Sequence, residues 1–415
     1  MTTGTRAILS LTEYVVRSFP RAAIPDHEGR LLWRNYRSQV SVEPPSWKTE
    51  DQWQLTSQGW VGYIPLTPEL GVLLEPKVEL GNLFRMLEYA YRLESFEFLD
   101  GLVECASLEE FYERLANVLA KRVLDRARRG LYRDYVSETE QLPYVRGRID
   151  VRQAIRAPWD VRLRCHYEDH TADIEENQIL AWTLSRIAHS GTCTERVLPT
   201  VRSAFRSLRG FASLQPWKAK HCVGRLYNRL NEDYHPMHAL CRFFLEHSGP
   251  THQMGDRAVL PFLVNMERLY ELFVAEWLKA HLPGNLMLKV QERVDIGEAD
   301  VLTFNIDLVL YDADTGESRC VLDTKYKAAD RPGPADVTQV VAYAKMKGCN
   351  DAVLIYPQSL SRPLAALVGD VQVRSMAFSL EGDLEEAGQT FMRSLLESTK
   401  HLDEARVMDT SPDAG

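Results

Sequence analysis

Ile306-Asp307, Leu322-Asp323-Thr324-Lys325 and Gln339-Val340-Val341-Ala342-Tyr343 decide how this chain is read. The flanks of the first two pieces, Thr303 to Tyr311 and Arg319 to Tyr326, are β-branched and apolar, and Asp312-Ala313-Asp314-Thr315-Gly316 between them is a hairpin turn. Side chains alternate faces along a strand, so Asp323 and Lys325 project from one side, and strand pairing brings Asp307 beside them. Two acidic oxygens suit a hard cation such as Mg²⁺, or Mn²⁺ in its place, which keeps several waters, polarises a phosphoryl oxygen and lowers the pKa of a bound water. Lys325 is then placed to orient that water or to offset charge building on the phosphate.

A bare Asp-x-Lys occurs about once by chance in a chain this long, so its setting carries the weight. Arg331-Pro332-Gly333-Pro334 breaks the second strand, Asp336 is the expected N-cap, and a helix from about Val337 to Lys347 stops before Gly348. Gln339 and Tyr343, four apart, share one face of that helix. Ala352 to Tyr356 and Val371 to Leu380 read as further strands. An amphipathic helix, Met266 to His281, comes before the first strand, Leu286 to Val294, and carries Glu267 and Glu271 on a common face. The expected order is helix, three strands, helix, strand.

This order with these residues resembles the PD-(D/E)xK nuclease superfamily, and the Gln-x-x-x-Tyr helix is similar to its RecB-like branch. The resemblance implies that Asp307, Asp323 and Lys325 are catalytic, that Asp307 and Asp323 hold the metal, and that Gln339 and Tyr343 support metal or DNA. It carries Glu271 over from the first helix. The sequence departs from the pattern at Ile306, where a proline usually precedes the first Asp. Gly71-Val72-Leu73-Leu74-Glu75-Pro76-Lys77-Val78, Asn82-Leu83-Phe84-Arg85-Met86-Leu87, Leu142-Pro143-Tyr144-Val145-Arg146-Gly147-Arg148-Ile149-Asp150 and Asp173-Ile174-Glu175-Glu176-Asn177-Gln178-Ile179-Leu180, followed by Asp323-Thr324-Lys325-Tyr326-Lys327, look like McrC proteins over roughly residues 60 to 360. That likeness implies the nuclease subunit of a modification-dependent restriction system. Its partner would be an McrB-like AAA+ GTPase hexamer that binds the GTP, and its substrate double-stranded, modified DNA. It also assigns contact with the ring, and stimulation of its GTPase, to residues 1 to about 160.

Composition adds limits. With 415 residues and 45% hydrophobic content, the chain can build two or three domains. Seven scattered cysteines argue against a disulfide framework, a zinc site or an iron–sulfur cluster. No segment approaches a membrane span and the start lacks a long apolar core, so a cytoplasmic protein of a bacterium or archaeon, with no membrane partner, is expected. The net charge of −9 excludes a surface that grips DNA everywhere, but local basic patches remain compatible with it. Arg202, Arg206, Arg209, Lys218, Lys220, Arg225 and Arg229 follow one another without an acid between Val201 and Arg229. Together with Lys327 they are candidates for phosphate contacts, or else they solvate helical faces and pair with acids elsewhere.

The expected fold class is a multidomain mixture of α/β and α+β. Residues 1–100 form a β-rich domain or small barrel, with Trp47, Trp53 and Trp60 either core or interface anchors. Residues 101–250 form a mainly helical middle region, with a β-like interruption at about Ala157 to Tyr167 and helices at Glu175 to His189, Arg196 to Arg209 and His235 to His247. Gly249 to Gly255 is the linker, 251–400 the αβββαβ nuclease core, and 401–415 a disordered tail. His166 with His170, and His235 with His238, lack a metal-binding setting, and no P-loop motif is present. Two other functions fit parts of the sequence: a stand-alone RecB-like nuclease of repair or phage defence, and a non-catalytic activator of an AAA+ GTPase. The intact Asp307, Asp323, Lys325 set speaks against the activator, and the McrC-like segments speak against the stand-alone enzyme.

Overall fold

The computed structural model describes residues 7–67, 70–91, 107–191, 193–248, 252–254, 257–259, 261–296, 302–327 and 329–409. Its contacts group into two compact units, and neither is a continuous stretch of chain. One joins 63–71 to 108–263; the other joins 7–62 and 72–107 to 264–415. This grouping cuts across the linear divisions at 100 and 250, and within the second unit the amino-terminal helix Leu80–Tyr91 packs on helix Met266–His281. Gly249, Pro250, Thr251 and Gly255 of the expected linker, and residues 410–415 of the expected tail, lie outside the described residues.

The first unit is mainly helical. Helix Leu108–Arg129 buries Phe111, Leu115, Leu119 and Val123 at four-residue spacing. Helices Glu175–His189, Leu198–Leu208 and Tyr234–Glu246 also lie in this unit. The β interruption is larger than the alternation at 157–167 suggests: Leu163–Thr171 is the central strand of three, flanked by Asp134–Leu142 and Arg148–Ile149.

The second unit holds the expected order of elements, helix, three strands, helix, strand. Helix α1 (Met266–His281) is followed by strands β1 (Leu286–Ile296), β2 (Leu302–Asp312) and β3 (Ser318–Thr324). Then come helix α2 (Pro334–Lys347), β4 (Asp351–Tyr356), β5 (Ala365–Val368), β6 (Val371–Ala377) and helix α3 (Leu384–Asp409). The sheet order is β1-β2-β3-β4-β6-β5, antiparallel from β1 to β3 and parallel from β3 through β4 to β6. Every residue of β4 is buried, as expected of a central parallel strand covered on both faces. Ile306, Val309 and Val321 pack in one cluster with Val340, Tyr343 and Ala344 of α2, so Ile306 is a core side chain.

Three local expectations need correction. Asp336 is not the N-cap but the third residue of α2, where its carboxylate accepts the Gly333 N–H at 3.2 Å. Residues 401–409 continue α3, since no Gly or Pro occurs between Gly388 and Pro412 to stop it. The amino-terminal region is not a barrel: Val16–Pro20, Gln52–Ser57 and Val40–Glu43 form a three-stranded sheet, and an unexpected helix, Asp26–Tyr36, packs there. Gly29 within that helix hides its signal. A Cβ there would lie 2.2 Å from the Trp53 ring, so the glycine makes room for the indole. Trp53 is therefore core, Trp60 half-buried and Trp47 exposed.

Candidate active site

Asp307 comes from β2 and Asp323 from β3. Their strands pair with Leu308 opposite Leu322, so the two aspartates are the next positions outward, where the ladder opens. The Thr324 N–H points at Asp307 Oδ2 over 3.4 Å. Lys325, just past β3, donates its backbone N–H to the Ile355 carbonyl of β4 at 2.8 Å, which carries the strand direction one residue further. Its Nζ stands 2.7 Å from Asp323 Oδ2 and donates to Gln339 Oε1 at 3.2 Å. Gln339 Nε2 in turn donates to Tyr343 OH at 2.8 Å, one turn along α2. Two strands and a helix thus bring together the five residues quoted first.

Their electrostatics follow from burial. Asp323 is 1% exposed. Burial, reinforced by the Asp323 charge, pushes the Asp307 carboxyl up to about 6, against the pull of Lys325. Burial also holds Asp323 above the ordinary carboxylate range, with Lys325 opposing. For Lys325, burial disfavours the charge, but the carboxylates of Asp323, Asp336 and Asp307 outweigh it and raise its pKa. Two poorly solvated carboxylates therefore share one ammonium, which leaves the site short of positive charge. Asp323 Oδ2 is buried and takes no aligned hydrogen bond; its ammonium neighbour is an ion contact only. Among the described residues no three His, Cys, Asp or Glu side chains close into a metal cage. A pair of carboxylates fits a hard cation that retains several waters, so the residues present fit Mg²⁺ better than a closed structural metal.

Glu271, on α1, borders this pair. Its Oε1 accepts from Arg268 at 2.8 Å and from Gln291 Nε2. Burial raises its carboxyl, Arg268 works against this, and the charge of Asp307 adds to it. Glu267, one turn earlier, is exposed and joins none of these contacts. Gln291 is the residue that sequence reading missed. It sits in β1 opposite Asp307, where the register skips, with φ +52°, a left-handed conformation rare outside glycine. A glutamine between Val290 and Glu292 looks like any exposed strand residue, so nothing in the sequence marks it.

The remaining candidates are placed differently. Lys327 Nζ is engaged by Asp336 Oδ2. Arg225 pairs with Glu175 at 2.9 Å and Glu176 at 2.7 Å, with its side chain only 14% exposed, so it is a structural cation of the first unit. Arg202, Arg206, Arg209, Lys218, Lys220 and Arg229 are exposed in that unit and take no part in the Asp–Lys cluster. His166 and His170 lie on a strand, not a helix, and His166 Nδ1 stands 2.9 Å from Thr139 Oγ1. His238 is a satisfied core histidine, 2.8 Å from Tyr227 OH and 3.0 Å from the Glu176 carbonyl.

A mixed α/β sheet with two carboxylates, a lysine and a supporting Gln–Tyr pair at its open end defines the class of site. A family model described as "McrBC 5-methylcytosine restriction system component" matches residues 55–357, and the chain belongs to that family. Over 218 residues it is 26% identical to the type IV methyl-directed restriction enzyme EcoKMcrBC of Escherichia coli (strain K12), a match that covers 50% of this chain and 61% of the relative. Its fold is similar to a chain in the refined half-complex from a tetradecameric assembly of Thermococcus gammatolerans McrB AAA+ hexamers with bound McrC. There the TM-score is 0.53 at 16% identity, over 94% of this chain and 100% of that one. Among the described residues no helix is long and apolar enough to cross a membrane.

Proposed function

We propose that this chain is the endonuclease subunit of a McrBC-like restriction complex, hydrolysing phosphodiester bonds in modified, methylcytosine-containing DNA with Mg²⁺ as its metal (Mn²⁺ substituting) and stimulating the GTPase of an AAA+ partner. The observation that carries the reading is the convergence of Asp307, Asp323 and Lys325, backed by Gln339 and Tyr343, in a member of this family. On this reading the sheet is a PD-(D/E)xK core. The solved assembly named above, in which McrC is bound to McrB hexamers, supports a ring partner for this chain as well.

Asp307 and Asp323 would hold the metal, and the raised pKa of Asp307 marks a site where a second positive charge is stabilising. A bound Mg²⁺ supplies Lewis-acid polarisation of the phosphoryl oxygen and a lowered pKa for an attacking water. Lys325, kept cationic by its carboxylate neighbours, is aimed at the same place, where charge grows on the phosphate during attack. Gln339 holds the ammonium and Tyr343 holds Gln339, which restricts the lysine to one rotamer. Glu271, its carboxyl raised by burial beside Asp307, is placed to accept a proton there. The exposed arginines and lysines between 202 and 229, without Arg225, are the proposed phosphate contacts. Contact with the ring is assigned to residues 1 to about 160.

Asp323→Ala tests the assignment. Cleavage of methylated duplex in the presence of partner, GTP and Mg²⁺ is expected to vanish while stimulation of partner GTPase persists. Normal cutting by the variant would remove the site from the reaction. Unmethylated duplex in the same assay checks the substrate class.

A further inference from the structure

Behind the turn that follows Lys325 lies a buried acid from the far end of the chain. Glu13 has no solvent exposure. Its Oε2 accepts the Tyr326 phenol at 3.0 Å and the Lys77 backbone N–H at 2.9 Å, while Oε1 is buried with no hydrogen-bond partner. Leaving one oxygen of a buried carboxylate unmatched is costly, so an acid kept there points to something other than stability. Tyr14, next to it, has φ +57°, a left-handed conformation that L residues with bulky side chains rarely adopt. The backbone on both sides is pinned: Glu13 N–H donates to the Glu75 carbonyl at 3.2 Å and Tyr14 N–H to the Ser57 carbonyl at 2.9 Å. The strained turn thus directs Glu13 inward.

The object it reaches adjoins the cutting centre. Tyr326 follows Lys325 directly, and the chain reverses there, with Lys327 N–H donating to the Lys325 carbonyl at 3.0 Å. The Tyr326 ring rests on Tyr270 of α1 with centroids 5.9 Å apart. On another side the turn borders a cavity of about 380 Å³ lined by Tyr14, Lys77, Lys327 and Gln358, so packing does not enclose it fully. A directional hydrogen bond to the phenol is what fixes it.

We propose that Glu13 is a positioning residue: by holding the Tyr326 phenol it sets the turn after Lys325, and so keeps Lys325 Nζ between Asp323 and Gln339. This rests on the reading of Asp307, Asp323 and Lys325 as the cutting centre. Glu13 lies outside the matched span of 55–357, so the family match does not assign it. A misplacement of about 1 Å costs a catalytic group roughly 100-fold in rate.

The test uses full-length Glu13→Ala, Tyr326→Phe and Glu13→Gln, with Asp323→Ala as reference, after circular dichroism has confirmed folding. Two quantities are read: kcat and KM for cleavage of methylated duplex with partner, GTP and Mg²⁺, and the ¹³Cε resonance of Lys325 followed with pH. Glu13→Ala and Tyr326→Phe should each lower kcat roughly 10- to 100-fold, leave KM for DNA unchanged and shift the Lys325 titration toward that of Asp323→Ala. Glu13→Gln, which still offers an acceptor to the phenol, should stay within about threefold of wild type. If Tyr326→Phe keeps both its kcat and its Lys325 titration, the proposal is overturned, even where Glu13→Ala fails to fold. Movement of the Lys325 signal with no cutting by any form, wild type included, would uphold the positioning role and overturn the nuclease reading instead.

Discussion

Asp307→Asn removes one charge from the carboxylate pair while keeping the side-chain volume and an oxygen for the Thr324 N–H. In the folded chain burial and the Asp323 charge hold Asp307 at about 6, against 3.8 for the free side chain. At about 1.4 kcal/mol per pKa unit, ionised Asp307 opposes folding by roughly 3 kcal/mol at pH 7.5 without divalent cation. The folded value lies above the unfolded one, so this group's favourable contribution is complete below about 3.8 and is lost as pH rises through about 6. The asparagine variant escapes that loss. It should be roughly 3 kcal/mol more stable than wild type at pH 7.5 and about half that at pH 5. Denaturant unfolding in EDTA at the two pH values measures this. Added Mg²⁺ should stabilise wild type by RT ln(1 + [Mg²⁺]/Kd) and leave the variant nearly unmoved, while the variant no longer cuts. A variant no more stable than wild type at pH 7.5, or a gain that does not shrink at pH 5, would refute the account of two poorly solvated carboxylates sharing one ammonium.

Three further outcomes follow from the same physical reasoning. Arg225→Ala should cost about 2 kcal/mol by stranding the largely buried Glu176, whereas Arg202→Ala or Arg206→Ala should change stability by less than about 0.5 kcal/mol and instead flatten the salt dependence of DNA binding. His238 and His247 are held near 4 by burial. The unfolded chain therefore binds more protons between about 6.5 and 4, and stability should fall as pH drops through that window, by about 3 kcal/mol for each histidine, read from urea midpoints. A fragment of residues 251–415 should not melt cooperatively in circular dichroism. It lacks Asn82, which donates to the Leu380 and Gly382 carbonyls at 2.9 and 3.0 Å, and Tyr89, whose ring stacks edge-on to Phe273 at 5.8 Å.

Residues 266–356 were legible in the sequence because their signals are local. α1 is found at the bounds its apolar period marks, β2 and β3 flank an Asp–Gly turn whose Asp312 side chain accepts the Asp314 and Thr315 N–H groups, and α2 ends at Gly348 with φ +68°. Asp323, Lys325, Gln339 and Tyr343 could be proposed as a set because their spacings, two and four, match the periods of their own elements. The helix starts one turn earlier than the acidic Asp336 marks, because Gly333 caps it and Pro334 opens it. The sequence leaves Arg225 open between a phosphate contact and a partner for distant acids, because Glu175 and Glu176 lie about fifty residues upstream, beyond any local pattern.

What the sequence by itself determined is therefore the set of elements and the side chains that each presents, since period and punctuation act over a few residues. Only the tertiary structure decided which of those faces meet. The pairing of β2 with β3 sets Asp307 beside Asp323, the approach of α1 brings in Glu271, the strained Gln291 donates to Glu271, and Glu13 reaches Tyr326 across 313 positions of sequence. Such meetings depend on which buried surfaces can be covered together, and that is a property of the whole packed chain.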